Sequence, residues 1–177
     1  MTIRIAITGP ESSGKTILAK ALAKRFGTIF TPEFARYYLG QLDRPYAYDD
    51  LERIARGQLQ WQQRDAGRAK ALLFCDTDLV VIKVWSDVRF GCTDPRIIRQ
   101  LEQNPFDLTL LCHPDIPWEY DPLRENPLDR QELLSLYLQE LNRFQIPFIE
   151  IRGNDPDRRI RQAEVGIFTW MQHRTEG

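Results

Sequence analysis

Short apolar runs alternate along the chain with longer segments in which apolar residues recur at helical spacing. Apolar runs bounded by turn residues predict strands, and recurrence at three and four residues predicts helices. The predicted strands are Ile3–Thr8, Thr28–Thr31, Ala71–Cys75, Leu108–Cys112 and Pro147–Ile151. The predicted helices are Thr16–Phe26, Asp49–Lys70, Leu79–Val88, Arg130–Phe144 and Asp157–Met171.

This alternation predicts an α/β fold with a parallel five-stranded sheet. Helices should cover both faces, because parallel neighbours need crossover connections. The run Ala71–Cys75 is apolar throughout, as expected for a strand covered on both faces. Ligands of such sheets bind at the carboxyl ends of the strands, so the polar residues that follow the apolar runs are the candidates for function.

Composition then narrows the class of protein. The chain has 177 residues, with 24 Lys and Arg against 25 Asp and Glu, and a net charge of −1. This length predicts one domain over residues 1–177, and the charge argues against a nucleic-acid partner. No apolar run approaches the roughly 20 residues of a membrane helix, so we expect no membrane partner. Three widely spaced cysteines, without signal-peptide architecture, favour a reduced, cytoplasmic setting.

A phosphate-binding motif connects the first predicted strand to the first predicted helix. It has the GxxxxGK[ST] pattern, in the strand–loop–helix context that this motif requires. Its backbone N–H groups cradle phosphates, Lys15 neutralises the β- and γ-phosphates, and Thr16 offers a hydroxyl to Mg²⁺. The residues predicted to bind ATP are Gly9, Pro10, Glu11, Ser12, Ser13, Gly14, Lys15 and Thr16. The expected fold is therefore a three-layer P-loop NTPase.

Two carboxylates follow the third predicted strand. Asp76 should arrive beside Thr16 and Mg²⁺ if that strand neighbours the first, in the position of a Walker-B-type carboxylate. Asp is also a preferred residue at a helix N-cap. We predict a metal or catalytic role for Asp76, and either a cap or a substrate contact for Asp78.

Three polar residues are candidates for binding a phosphate acceptor. Glu33 follows the second predicted strand and can accept the proton of an acceptor hydroxyl. Arg36 lies on the same helical face, where it can bind an acceptor oxygen. Gln58 lies on the long helix and is a further candidate for recognition. The alternatives are a surface Glu–Arg pair and a solvated helix face.

A segment with four prolines, 113–129, follows the fourth predicted strand. A loop of this length is unusual in a compact domain, and such loops are usually functional. We expect a lid at about 114–130, in which Arg124 and Arg130 close on the phosphoryl group and exclude water. Trp118 can stack on a flat ring. The alternative is a rigid surface loop that Trp118 anchors.

The turn after the fifth predicted strand should pass the outer side of the phosphate loop, where a nucleotide base would sit. Gly153 and Asn154 lie in this turn, and Arg158 follows them. The backbone at Gly153 can approach the ring, and Arg158 can stack on it. A plain turn with exposed arginines is the alternative.

Taken together, these segments resemble the ribosylnicotinamide kinase domain of the bifunctional NAD-biosynthesis and regulator proteins. The matching motifs lie at residues 9–16, 32–38, 74–79, 83–86, 114–118 and 121–124. The resemblance implies ATP-dependent phosphorylation of nicotinamide riboside at its 5′-hydroxyl, with Asp76 serving Mg²⁺ or the acceptor. It also implies an acceptor pocket at Glu33 and Arg36, and a lid at Arg124 and Arg130. The chain resembles neither the adenylyltransferase domain nor the helix-turn-helix of those proteins, so we expect neither activity.

Two functions fit these observations. The first is a small-molecule kinase with ATP and Mg²⁺ as cofactors and a nucleoside as substrate, in which either Glu33 or Asp76 is the base. The second is a regulatory ATPase or switch without a small-molecule acceptor, although the chain lacks the NKxD and LSGGQ motifs of two such classes. A kinase consumes ATP only with its acceptor, whereas a switch hydrolyses ATP slowly alone. The sequence leaves a homo-oligomer open.

Overall fold

The five predicted strands and five predicted helices occur along the chain in the predicted order, with two further short helices between them. The structure, a computed structural model, describes residues 2–122 and 129–175. The strands within these ranges are β1 (Ile3–Thr8), β2 (Phe30–Thr31), β3 (Leu72–Asp76), β4 (Leu108–Cys112) and β5 (Phe148–Ile151). The helices are α1 (Lys15–Arg25), α2 (Phe34–Leu39), α3 (Tyr48–Ala66), α4 (Leu79–Phe90), α5 (Pro95–Gln103), α6 (Arg130–Arg143) and α7 (Pro156–Thr175).

The five strands form one parallel sheet in the order β2-β3-β1-β4-β5. The first strand lies at the centre, between β3 and β4. Ile7 of β1 is in register with Asp76 of β3, so the end of β3 emerges beside the segment that follows β1. The parallel α/β sheet predicted from the sequence is confirmed, and it brings the predicted phosphate loop next to Asp76.

Each face of the sheet carries its own apolar core. On one face, α1 and α7 bury side chains such as Leu22 and Ala163 against the strands. On the other face, α3, α4, α5 and α6 pack together around residues such as Ile54, Ile82 and Leu141. This confirms the prediction of helices on both faces. Within the described residues, no helix is both long enough and apolar enough to cross a membrane.

Two short helices were not predicted, and each has a local cause. Helix α2 has only six residues, too few for a helical period to emerge. Helix α5 has clear N-terminal signals, because Asp94 caps its N-terminus and Pro95 occupies its first position, and it also has an apolar face that the sequence analysis missed. Ile97 and Leu101, one turn apart on α5, are both buried.

Gly57 lies inside α3, where glycine costs helix stability relative to alanine. A Cβ atom at this position would collide with the ring of Phe34 from α2. The missing side chain therefore lets α2 pack directly on α3. This contact fixes the segment that carries Glu33 and Arg36, so Gly57 serves the geometry of the predicted acceptor pocket.

The buried carboxylate of Asp50 ties the end of α2 to the start of α3. It accepts hydrogen bonds from Tyr38 Oη at 2.8 Å, from the Ala47 backbone N–H at 2.7 Å, and from Arg44 at 2.7 and 2.9 Å. The hydrogen bond from Arg44 is the largest influence on its pKa, and together these contacts hold the pKa of Asp50 well below its usual range.

A carboxylate with a lowered pKa stabilises the fold above its usual pKa, and this stabilisation is lost as the pH falls. We therefore expect Asp50→Asn to lower the free energy of unfolding by about 1–3 kcal/mol at pH 7. The difference from the wild type should shrink between pH 7 and pH 3. Urea unfolding at both pH values measures it, and an equal difference at both would refute the charge-based account.

Candidate functional site

The segment between β1 and α1, residues 9–16, is called the P-loop here. It turns sharply, with φ of +134° at Gly9, +51° at Ser12 and +80° at Gly14. A Cβ atom at Gly9 would collide with the backbone carbonyl of Cys112, so only glycine fits there. Gly14 caps α1, so the positive end of this helix points into the loop. These features produce the anion-binding cradle that the motif predicts.

Two side chains at the start of α1 complete the cradle. Lys15 Nζ donates to the carbonyl oxygens of Gly9 at 2.9 Å and Pro10 at 2.8 Å. These bonds hold the ammonium group over the loop, where the phosphates of a nucleotide bind in P-loop proteins. Thr16 Oγ1 donates to Asp76 Oδ2 at 2.6 Å. The sequence prediction that Thr16 and Asp76 meet therefore agrees with the structure.

Asp76 and Thr16 fit a Mg²⁺ site. Asp76 is 2% exposed, and its second oxygen, Oδ1, is buried without a hydrogen-bond partner in the described structure. An unpartnered buried carboxylate oxygen is costly unless a cation or water satisfies it. Mg²⁺ typically takes one or two protein oxygens and fills its shell with phosphate oxygens and water. Burial raises the pKa of Asp76, although the hydrogen bond from Thr16 and the charge of Lys15 act to lower it.

Asp78 takes the helix-capping role, one of the two roles that the sequence predicts for it. Its contact with substrate stays a prediction. Its Oδ1 accepts hydrogen bonds from Thr8 Oγ1 and from the Val81 backbone N–H, each at 3.1 Å. It is 2% exposed and caps α4. Burial raises the pKa of Asp78 to about 6. Its oxygens therefore anchor α4 to the end of β1 and do not line the large cavity.

A cavity of about 700 Å³ opens between the P-loop, α2 and α4. Its polar wall includes Lys15, Thr16, Glu33 and Arg36. Its apolar wall consists of side chains from α2, α4 and α6: Ala35, Leu39, Val81, Val84, Trp85, Val88, Leu133 and Tyr137. Arg89 lines the cavity near the C-terminal end of α4. The cavity is large enough for a nucleoside beside a triphosphate.

Glu33 and Arg36 both line this cavity. Glu33 Oε2 lies 3.3 Å from Arg36 Nε, and Arg36 also pairs with Asp121 at 2.8 Å. Burial raises the pKa of Glu33, although the nearby charges of Lys15 and Arg36 lower it. A carboxylate with a raised pKa is a better proton acceptor than an ordinary one. The ion pair is therefore part of the cavity wall and not an isolated surface pair.

Gln58 supports the acceptor side and is not among the residues that line the cavity, so its contact with substrate stays a prediction. Its Oε1 accepts from the Phe34 backbone N–H at 2.7 Å, and its Nε2 donates to the Pro32 carbonyl at 3.2 Å. Both atoms are thus engaged by the backbone on either side of Glu33. Gln58 therefore holds in place the backbone that carries Glu33.

The described part of the predicted lid, residues 114–122, lies against the P-loop and is called the lid segment here. The Glu119 backbone N–H donates to Ser12 Oγ at 3.0 Å. Arg130 donates to the carbonyls of Ser12 at 3.2 Å and Ile116 at 3.0 Å, and its guanidinium lies 5.7 Å from the Trp118 ring centroid. Arg124, predicted as a second lid arginine, falls outside the described residues.

Arg130 and Trp118 hold the lid segment against the P-loop, and their predicted contacts with ligands stay predictions. Neither lines the cavity. The planar guanidinium of Arg130 is occupied by two carbonyls and one aromatic face, which is an arrangement that fastens the lid segment to the P-loop. In this structure the Arg130 guanidinium lies over the Trp118 ring. Sequence reasoning treated the two side chains separately, and only the fold shows that they act together.

The turn after β5 lies outside the cavity, and its predicted contact with a nucleotide base stays a prediction. Gly153 and Asn154 do not line the cavity, and Arg158 is exposed. The neighbouring Arg159 is buried instead, and it donates to the Ser13 carbonyl of the P-loop at 2.7 Å. Helix α7 begins at Pro156, and successive side chains on a helix point about 100° apart. Sequence reasoning did not identify Arg159, the arginine of this turn that contacts the P-loop.

The described residues contain no group of three or more His, Cys, Asp or Glu side chains that could hold a metal by themselves. A Mg²⁺ ion at Thr16 and Asp76 would therefore take its remaining oxygens from phosphates and water, as is usual for nucleotide-bound magnesium.

Comparisons with known proteins agree with this geometry. The chain is 32% identical over 162 residues to the trifunctional NAD biosynthesis/regulator protein NadR of Escherichia coli strain K12, covering 88% of this chain and 40% of NadR. Crystal structures of NadR in complex with NR, and with NAD and AMP-PNP, both superpose with a TM-score of 0.73, at 22% and 20% identity. They cover 96% and 91% of this chain, and 51% and 48% of the NadR chain.

The fold extends to enzymes that act on nucleotides. Thymidylate kinase from Ehrlichia chaffeensis superposes with a TM-score of 0.67 at 12% identity, covering 93% of this chain and 98% of the kinase. The chain spans less than half the length of the curated relative that it matches. The family model described as an AAA domain, AAA_28, matches residues 4–159. The chain therefore belongs to this AAA domain family, with the fold of a P-loop kinase and sequence similarity to part of NadR.

Proposed function

We propose that this protein is an ATP-dependent kinase that phosphorylates nicotinamide riboside at its 5′-hydroxyl, giving nicotinamide mononucleotide and ADP. One observation carries the proposal: a single cavity joins the P-loop to Glu33 and Arg36 and continues along an apolar wall. A regulatory ATPase needs only the P-loop. The additional wall provides room for an acceptor beside the γ-phosphate, which favours a kinase.

The apolar wall suits a flat ring at the far end of the acceptor. Trp85 presents its indole to the cavity, and its Nε1 donates to Tyr46 Oη at 3.0 Å, which fixes the plane of the ring. An aromatic face contributes about 0.5–1.5 kcal/mol beyond burial when a second ring stacks on it. Arg89 lies one helical turn further along α4, where it can donate to a carboxamide oxygen. These features match a pyridine carboxamide nucleoside.

The reaction in this site has a defined proton path. Glu33 accepts the proton of the acceptor 5′-hydroxyl as the new bond from oxygen to the γ-phosphorus forms and the bond to the β–γ bridging oxygen breaks. Lys15 and the P-loop N–H groups stabilise the charge on the phosphate oxygens. Arg36 holds Glu33 in place and faces the acceptor. Closure of the lid segment would exclude water, which would otherwise compete for the phosphoryl group.

Mg²⁺ would be held by Thr16 and Asp76, and it would neutralise charge on the β- and γ-phosphates. Asp76 Oδ1, buried without a partner in the described structure, supports this assignment. The lid segment lies over the P-loop and, through Asp121, contacts Arg36 at 2.8 Å. The lid segment therefore touches both the nucleotide side and the acceptor side, as expected of an element that closes the site when both substrates bind.

An acceptor screen tests the proposal. ADP release is measured with Mg²⁺ and ATP alone, then with nicotinamide riboside, other nucleosides and nucleoside monophosphates. We expect release to depend on nicotinamide riboside, while its 5′-deoxy analogue, which lacks the acceptor hydroxyl, competes without being phosphorylated. Slow release that no acceptor stimulates would favour the regulatory ATPase. Stimulation by monophosphates alone would assign a nucleotide kinase instead.

A further inference from the structure

Arg159 is a buried cation that no role described so far requires. It lies on α7, is 4% exposed, and donates to three carbonyl oxygens. The acceptors are Ser13 of the P-loop at 2.7 Å, Gly153 after β5 at 2.9 Å and His113 after β4 at 3.1 Å. One guanidinium thus joins the three loops that meet at the carboxyl ends of β1, β4 and β5.

The charge of Arg159 is not neutralised within the described part of the chain. It takes part in no ion pair there, and its three hydrogen bonds at these loops go to backbone carbonyls. The carboxylates nearby are engaged elsewhere: Asp115 accepts from the Gly153 backbone N–H at 2.7 Å, and Glu150 pairs with His113 and Arg152, each at 2.6 Å. A buried charge without a counter-ion is costly, so a compensating anion is expected in the working protein.

The contact with Ser13 also sets the direction of an N–H group. In a trans peptide, the carbonyl of one residue and the N–H of the next point in opposite directions. Because the Ser13 carbonyl faces Arg159, the Gly14 N–H is turned to the other side, where Gly14 lines the cavity. Arg159 therefore holds one donor of the phosphate cradle in its binding orientation without touching the ligand.

We propose that Arg159 is a positioning residue for the triphosphate: it fixes the Ser13–Gly14 peptide in the anion-binding orientation and supplies the positive charge behind the P-loop that the bound phosphates compensate. The effect concerns phosphates and not the acceptor. It therefore goes beyond the proposed kinase activity and holds whichever acceptor the enzyme uses.

Binding measurements on the full chain test this role. The dissociation constants of inorganic tripolyphosphate and ATP are measured by calorimetry for the wild type and Arg159→Gln. The matched control is Arg161→Gln, which removes an exposed arginine two residues away on the same helix. We expect Arg159→Gln to weaken both ligands by about 10–100-fold, as for loss of a charge-assisted hydrogen bond, and Arg161→Gln to leave both unchanged.

A second variant keeps the test open if Arg159→Gln does not fold. Arg159→Lys retains the charge but lacks the planar fork that reaches three carbonyls, so we expect a loss of about 3–10-fold for tripolyphosphate. Thermal unfolding without ligand reports the structural contribution of each variant separately. A folded variant that binds tripolyphosphate as tightly as the wild type would overturn the proposal. Because no acceptor is used, failure here is distinguishable from failure of the kinase assay.

Discussion

Asp76→Asn should lower kcat/KM for phosphoryl transfer by about 10²–10³-fold. The substitution keeps an oxygen that can accept from Thr16 Oγ1, now 2.6 Å from Asp76, but removes the charge that Mg²⁺ needs. Raising the Mg²⁺ concentration should recover part of the loss, because the defect is in metal binding. Initial rates over a range of Mg²⁺ concentrations measure this, with acceptor saturating.

The control for this variant is Glu102→Gln, which removes a carboxylate from the exposed face of α5, away from the cavity. It should leave the rate and its Mg²⁺ dependence unchanged. If Asp76→Asn retained the wild-type Mg²⁺ dependence, the assignment of Asp76 to the metal would be wrong.

Glu33→Gln should lower kcat by about 10²–10⁴-fold, the usual contribution of a general base, with little change in the KM for ATP. The amide keeps the shape of Glu33 but cannot accept the proton of the acceptor hydroxyl. The split between kcat and KM separates this loss from damage to the P-loop. Full activity in Glu33→Gln would leave Asp76 as the candidate base.

The pH profile gives Glu33 a second signature. Burial raises its pKa, so the carboxylate becomes protonated, and the rate falls, at a higher pH than for an ordinary glutamate. The rate depends on the fraction of Glu33 that is deprotonated, and this fraction rises with pH. We expect the acidic limb of the kcat profile to disappear in Glu33→Gln. A limb that persists unchanged would assign the titration to another group.

Sequence patterns predicted the layers of the fold well, because apolar runs and motif spacing report directly on buried strands. The ends of the strands and helices were harder to predict. The second strand covers only Phe30–Thr31, and α7 starts one residue before its predicted position. Such small shifts matter for side chains at the start of a helix, such as Arg158 and Arg159. A difference of one residue rotates a helical side chain by about 100°.

Some polar residues near the site line the cavity and others are buried and already hydrogen-bonded, and the sequence does not show which. Asp78, predicted as a cap or a substrate contact, and Gln58, predicted as a substrate contact, are both 2% exposed or less and bond to backbone or neighbouring groups. Glu33 and Arg36 were predicted on similar grounds and do line the cavity. Which oxygen or amide is already bonded depends on the packing of α2 and α4, and spacing along the chain does not determine it.

The reaction at the centre of this account is phosphoryl transfer from ATP to the 5′-hydroxyl of nicotinamide riboside. Mass spectrometry of a reaction containing the purified chain, Mg²⁺, nicotinamide riboside and ATP labelled with ¹⁸O in the γ-phosphate tests it directly. The account predicts nicotinamide mononucleotide that carries the label, formed in equal amount with ADP. Labelled inorganic phosphate with unmodified nicotinamide riboside would contradict it.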